Sequence, residues 1–560
     1  MFRKTTDQEL LTALAQRTVV VCAVIAAVMS VLLLANYVQT RVNDPIHSPA
    51  LTQLMQQLQN DPDNQALKEQ IRALDLLARK AYFTHKWQLR TGGFILFTAV
   101  VLLLISVKYL RSLQPALPDL HTAATNDIQQ SLPFSRRWIV RSGVALFAAA
   151  FAAGILAENQ LQPKTPRAPA EPVIPREVFR SHWPSFRGPE TNGHAFVESA
   201  PTTWNGATGE GILWKVAVPK PGFNSPIIWE DRLFLAGADE TSQEVYCYTA
   251  ADGSLLWTAA LNDVPGRPAK PPKTSDDTGL AAPTMTTDGR RVFVLFAAGD
   301  LACLDFDGKR LWAKNLGVPD NHYGHSSSLV VYQNLLLVQY DHGGSKTLRA
   351  FRTGDGKNVY QTKRDDVQLS WASPLLIYGD SRDQIVLSAT PFVISYDPAS
   401  GKELWRVKCM DGEVAPSPAY AGRRVFVVNE YARLAAIQVN GAAEKIWEYE
   451  DDLSEVSSPL ATEKLVIMAS SYGTVTCLHA ETGELFWTHD FDKGFYSSPI
   501  LVGELVYLMD VRGVTHIFEA AETFESVASN PLGESAHTIP AFMPGRIYIR
   551  GDEHLFCIGN

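Results

Sequence analysis

The side chains best suited to chemistry in this sequence are a scattered set of imidazoles, rings and one carboxylate: His322, His325, Asp341, His342, Trp371, Tyr496 and His537. Around one opening, such groups would make a ligand or peptide site, with rings for stacking and imidazoles for hydrogen bonding. The competing reading is that they are rim residues packing against one another. No GxSxG, HExxH or P-loop is present, so no catalytic residue is assigned. The DxDG at Asp305–Gly308 resembles part of a calcium loop, but it falls on a repeated turn, and no metal ligand set is assigned. The six cysteines include no CxxC, which argues against a disulfide framework or a zinc site. A net charge of −9 argues against a nucleic-acid partner.

The elements that must position these residues form a repeat. A Ser-Pro-like pair opens each unit: Ser225-Pro226, Ala282-Pro283, Ser327-Ser328, Ser373-Pro374, Ser417-Pro418, Ser458-Pro459, Ser498-Pro499 and Ile539-Pro540. Successive pairs stand 40 to 57 residues apart, and a period in this range with several short strands per unit denotes propeller blades. Each unit then holds two apolar strands and a third with a mostly small central residue: Cys247, Cys303, Ala350, Ser395, Ala436, Cys477, His516 or Cys557. A glycine turn follows, as in DGSLLW and DGKRLW, and glycine supplies its positive φ. The fourth strand carries an aromatic, Trp257, Trp312, Tyr360, Trp405, Trp447 or Trp487, which can pack one blade against the next.

The eighth unit stops at Asn560 after three strands. The orphan strand GILWKVAVP, with Trp214 in the aromatic column, can complete it and leave no open edge. The expected fold is therefore an all-β, eight-bladed propeller over 183–560. In a propeller, the loops from strand four to the next blade share a face with the loops between strands two and three. The long segments at 262–280, 315–327 and 363–371, and the loop at 340–346, fall on that face. The position two before each opening serine should line the channel mouth there: Phe223, Leu280, His325, Trp371, Ala415, Val456, Tyr496 and His537.

The recurring turn-to-aromatic pattern, as in Glu481-Thr482-Gly483 to Trp487, resembles the PQQ-like propeller repeat, and WPSFRGPETNG at 183–193 looks like the segment that leads into bacterial propellers of this type. The resemblance implies eight blades outside the cytoplasm. Its family includes quinoprotein dehydrogenases and non-enzymatic scaffolds similar to the outer-membrane assembly lipoprotein BamB. The dehydrogenases require PQQ, a calcium ion and an aspartate base, and their propellers carry long insertions around the active site. The soluble alcohol dehydrogenases of the family also carry adjacent cysteines, which are absent here; its membrane-bound sugar dehydrogenases lack that pair and join N-terminal spans to an external propeller, but most blades here are near minimal length. The expectation is a scaffold that binds an extracytoplasmic protein or peptide and has no cofactor. A PQQ- and calcium-dependent oxidoreductase is the alternative.

The first 160 residues read as a helical membrane region. Three apolar runs are expected to span, at 18–38, 91–110 and 138–157, the last carrying Arg141 near its start. Between them lie a helical hairpin at 39–90 and a loop at 111–137. Arg3, Lys4, Arg17, Lys108, Arg111, Arg136, Arg137 and Arg141 flank the spans on one side, eight against five (Arg41, Arg79, Lys80, Lys86, Arg90) on the other. This bias places the tail 1–17 and the loop 111–137 in the cytoplasm, and the C-terminal region outside the cytoplasmic membrane. Prolines 163, 166, 169, 172 and 175 repeat at the polyproline II period, so the spacer expected at 158–182 contains a semi-rigid stretch of about 40 Å between the first and last of them.

Overall fold

The computed structural model describes residues 2–42, 88, 91–111, 172–379, 381–430 and 432–559. The chain divides into two units, Met1–Pro163 and Lys164–Asn560.

In the first unit, helix α1 spans Phe2–Val42, and a second helix, α2, covers Thr91–Arg111. Two stretches, Leu14–Asn36 and Thr91–Arg111, are long and apolar enough to cross a membrane, and most of their apolar side chains, such as Val20, Val31, Phe94 and Leu104, point outward. The two helices meet where Gly92 leaves room for Leu33: a Cβ there would stand 2.8 Å from Leu33 Cδ2. Residues 39–42, expected to open the hairpin, continue α1. The expected third span at 138–157, the loop 111–137 beyond its first residue, and most of the hairpin lie outside the described residues.

The second unit is an all-β propeller of eight sheets, seven with four strands and one with five. Blade 1 runs through Ile227–Trp229, Arg232–Ala238, Gln243–Thr249 and Leu255–Ala260, and six further sheets repeat that order. The eighth takes three strands from the C-terminus, Ala541–Met543, Arg546–Arg550 and His554–Gly559, and its outermost strand, Ile212–Ala217, from upstream of blade 1. Trp214 pairs antiparallel with Cys557, so the orphan strand closes the ring as expected. The second and third strands of each blade lie between neighbouring blades and are buried on both faces, as in Arg291–Leu295 and Phe392–Tyr396. This explains their continuous apolar runs. The outermost strands alternate between exposed and half-buried residues.

The aromatic column is the joint between blades. Trp257 Nε1 donates to Phe306 O of blade 2 at 2.8 Å, Trp312 Nε1 to Thr353 O of blade 3 at 2.8 Å, and Trp447 Nε1 to Ala480 O of blade 6 at 3.2 Å. Each indole lies against the turn glycine of that next blade. A Cβ on Gly308 would stand 2.7 Å from Trp257 Cδ2, and one on Gly483 would stand 2.7 Å from Trp447 Cδ2. The joint differs between blades 4 and 5. Trp405 Nε1 donates to Gln384 of its own blade at 2.7 Å. The facing turn of blade 5 closes tightly at Gly441, which has nothing within 4 Å of an added Cβ.

Part of the expected spacer belongs to the propeller. Pro175 starts a short helix, α3 (Arg176–Arg180), whose Phe179 ring meets Trp229 at 5.1 Å. Its two arginines both donate to Glu190, at 2.6 Å and 2.7 Å. Residues 158–171 lie outside the described residues.

Candidate functional site

The channel is built from the opening residues of the blades. Ser225 N donates to Thr284 Oγ1 at 2.9 Å, Thr284 N to Ser328 Oγ at 3.1 Å, and Ser328 N to Ser373 Oγ at 2.9 Å. The chain of donors continues through Ser417, Ser458 and Ser498, each at 2.9 Å. It resumes where Ile539 N donates to Ser225 Oγ at 3.0 Å. The small hydroxyl at seven of the eight openings thus accepts a backbone proton from the preceding blade and fixes the spacing of the innermost strands.

This ring sets the register of the mouth, and the register differs from expectation in two blades. The opening hydroxyl of blade 2 is Thr284, and that of blade 3 is Ser328. The positions two residues earlier are Ala282 and Ser326, which line the cavity in place of Leu280 and His325. In the other blades Phe223, Trp371, Ala415, Val456, Tyr496 and His537 line it.

The cavity measures about 390 Å³ and ends on Phe186. That residue belongs to the lead-in segment, which crosses the far end of the channel and bonds to one innermost strand after another. Ile228 N donates to Trp183 O at 2.7 Å, Thr287 N to Pro184 O at 3.0 Å and Leu501 N to Gly193 O at 2.8 Å. Leu376 N donates to Thr191 Oγ1 at 2.9 Å, and Asn192 exchanges two bonds with the Tyr420 backbone, at 2.7 Å and 2.8 Å. The Arg187 guanidinium, fully buried, donates to Pro418 O at 2.9 Å and Pro459 O at 2.5 Å. The channel is therefore a dead-ended funnel.

The seven expected site residues separate into two groups. Trp371, Tyr496 and His537 line the funnel. His322 stands at its rim, 3.3 Å from Glu413 and with its ring centroid 5.5 Å from that of Trp371. His325, Asp341 and His342 do not line it. His325 is buried against Tyr340, and its burial holds the imidazole neutral, with a pKa of about 3. Asp341 is fully buried and paired with Arg364, which is also buried; Gln339 donates to it at 2.9 Å. The strand Leu335–His342 turns tightly at Gly343 and Gly344 into the third strand, so the loop expected at 340–346 is a hairpin end, bonded to Asp320 of the 315–327 loop. His342 Nδ1 accepts from Asp320 N and Gly344 N, both at 3.2 Å.

The funnel residues that escaped the sequence reading include Asp277, Tyr323, Glu413, Glu430 and Glu455. The signal was the acid in the loops before the blade 5 and blade 6 openings, MDGEVAPS and EDDLSEVSS. Asp277 arrives because the 262–280 insert folds over the mouth. Ser275 N donates to Tyr323 O at 2.9 Å, and Gly324 leaves room for Thr274. The lining includes these four carboxylates and neither lysine nor arginine. The negative field pushes the Tyr323 phenol up, with Glu413 as the largest cause.

The funnel carboxylates do not form a three-donor metal cluster. Among the described residues, the group of donor atoms within 4.8 Å of one another is Glu534, Glu553 and His554. Glu534 there already accepts from Glu553 N at 3.0 Å, His554 N at 2.9 Å and His554 Nδ1 at 2.7 Å.

A family model described as "Outer membrane protein assembly factor BamB" matches residues 188–269, 241–388, 344–471 and 444–523, more than half of the chain without a break. The chain belongs to this family. BamB of Burkholderia pseudomallei is 22% identical over 319 residues, covering 54% of this chain and 76% of that protein. BamB of Salmonella typhimurium is 27% identical over 243 residues, covering 39% of this chain and 58% of its own length. Among solved structures, the quinohemoprotein alcohol dehydrogenase of Comamonas testosteroni has a TM-score of 0.50 at 11% identity, covering 69% of this chain and 82% of that one. That likeness concerns the fold alone.

The funnel fits PQQ poorly. PQQ carries three carboxylates, and a wall of four more with no cationic side chain repels it.

Proposed function

We propose that this chain is a membrane-anchored scaffold whose propeller stands outside the cytoplasm and docks another protein at the mouth of its channel. The observation that carries the reading is the funnel itself. It is open above, closed below by Phe186, and walled by aromatic rings and four carboxylates with neither lysine nor arginine among them. Short blades leave it accessible to a protein segment. Membership in a family described as an assembly factor supports a protein partner. The two apolar helices and the flanking lysine and arginine bias support the anchor and its orientation.

The attachment point suits this role. Residues 172–182 rest on turns between first and second strands: Arg290 Nη2 donates to Pro172 O at 2.9 Å, and His182 stacks on Trp229 at 4.2 Å. Those turns lie on the face opposite the mouth, so residues 172–182 leave the funnel uncovered.

The test is co-purification of a tagged full chain after mild cross-linking in cells, comparing wild type with the double variant Tyr323→Ala, Tyr496→Ala. A partner recovered with the wild type and lost with the variant, at unchanged melting temperature, supports docking at the mouth. Equal recovery from both removes the mouth from the account.

A further inference from the structure

The chemistry of the funnel wall specifies what kind of segment it takes, an inference that rests on the docking reading above. Three features converge. The first is enclosure: the cavity of about 390 Å³ falls in the range of pockets that hold one small group, and it has a floor. The second is the aromatic content. Tyr323 meets Trp371 at 5.3 Å and His322 at 4.1 Å on one side; His537 meets Phe223 at 5.6 Å and Tyr496 at 5.7 Å on the other. The third is the charge: Asp277, Glu413, Glu430 and Glu455 face the same space, and Glu413 is 56% exposed.

Each feature excludes something. The carboxylates disfavour an anionic ligand. The lack of a three-donor cluster in the funnel disfavours a divalent cation held by the chain alone. The rings favour a group with an apolar body or a diffuse positive charge, since their faces attract cations. A long side chain with an aliphatic stem and a cationic head satisfies all three. A guanidinium can additionally bond a carboxylate through two parallel N–H groups.

We propose that the mouth captures a lysine or arginine side chain from an extended segment of another protein. The stem lies between the Tyr323–Trp371 and Phe223–His537 pairs, and the charge meets Glu413, Glu430 and Glu455. Low-dielectric walls focus the negative field toward the opening and steer basic segments to it.

The experiment selects random short peptides, displayed on phage, on the full chain in detergent, then measures binding of the selected peptides. Lysine- and arginine-rich peptides should emerge. They should bind about tenfold more weakly to the triple variant Glu413→Gln, Glu430→Gln, Glu455→Gln, a factor equal to roughly 1.4 kcal/mol. Added salt should weaken wild-type binding more than variant binding. Glutamine keeps an acceptor for Ser471 N, which bonds Glu455 at 2.7 Å, and equal melting temperatures check the fold. Asp231→Asn, on the opposite face, should change nothing. Basic peptides that bind wild type and triple variant equally would overturn the proposal. So would selected peptides that are neutral or acidic; if those were displaced by Tyr323→Ala, the docking reading would survive without the cation. No enrichment over a carrier control would also overturn the cation claim, leaving co-purification to decide docking on its own.

Discussion

Substituting Gly308 by alanine tests how the blades are joined. Gly308 has φ +82°, and an added Cβ would stand 2.7 Å from Trp257 Cδ2 and 2.9 Å from Cε3. The ring cannot swing aside freely, because Trp257 Nε1 is bonded to Phe306 O at 2.8 Å. Two penalties follow: about 1–2 kcal/mol for an alanine in the left-handed region, and about 1–3 kcal/mol for displacing a packed ring. Gly441 is the internal control. Its φ is +86°, yet nothing lies within 4 Å of its added Cβ, so Gly441→Ala should carry the backbone penalty alone. The expected difference between the variants is therefore about 1–3 kcal/mol. Urea unfolding of the full chain in detergent, followed by tryptophan fluorescence, reads it as a shift in midpoint. In a Trp257→Ala background, Gly308→Ala should fall to the Gly441→Ala value, which isolates the contact. Equal losses for Gly308→Ala and Gly441→Ala in the wild-type background would refute the glycine–indole joint.

Other expectations follow from the same geometry. Deleting 210–218 removes the strand that pairs with His554–Gly559, so the protein should lose cooperative unfolding or aggregate through its open edges, as light scattering would show. Trp405→Ala should destabilise by about 3–5 kcal/mol in urea unfolding, since the indole is 9% exposed. Arg187→Met leaves the Pro418 and Pro459 carbonyls buried without their donors and should lower stability by about 2–5 kcal/mol. A periplasm-only reporter fused after Asn560 should be active, and a cytoplasm-only reporter there should be silent.

The fold was legible because its signals repeat. Eight openings, a glycine turn and an aromatic column each recur with the blade period, and the deficit of one strand at Asn560 matches the surplus strand at Ile212–Ala217. The funnel was only half legible. Ala282-Pro283 resembles an opening pair, but the hydroxyl that bonds the ring is Thr284, two residues on; Ser327-Ser328 offers two candidates, and Ser328 is the one used. A slip of one residue in an extended segment turns side chains to the other face, which is how His325 entered the expected lining in place of Ser326. The acidic wall was hidden for another reason. Asp277, Glu413, Glu430 and Glu455 come from separate loops, and only ring closure brings them together. The floor was hidden too, because Arg187 reaches carbonyls 231 and 272 residues away.

The central claim is that a protein segment, and not a redox cofactor, occupies the funnel. Its most direct test is a photo-activated cross-linking residue placed at position 323, with a second at exposed position 231 on the opposite face, in cells grown with and without added PQQ and calcium. The account predicts a single adduct of defined mass from position 323, none from 231, and the same yield under both conditions. No adduct from 323, or one abolished by PQQ, would contradict it.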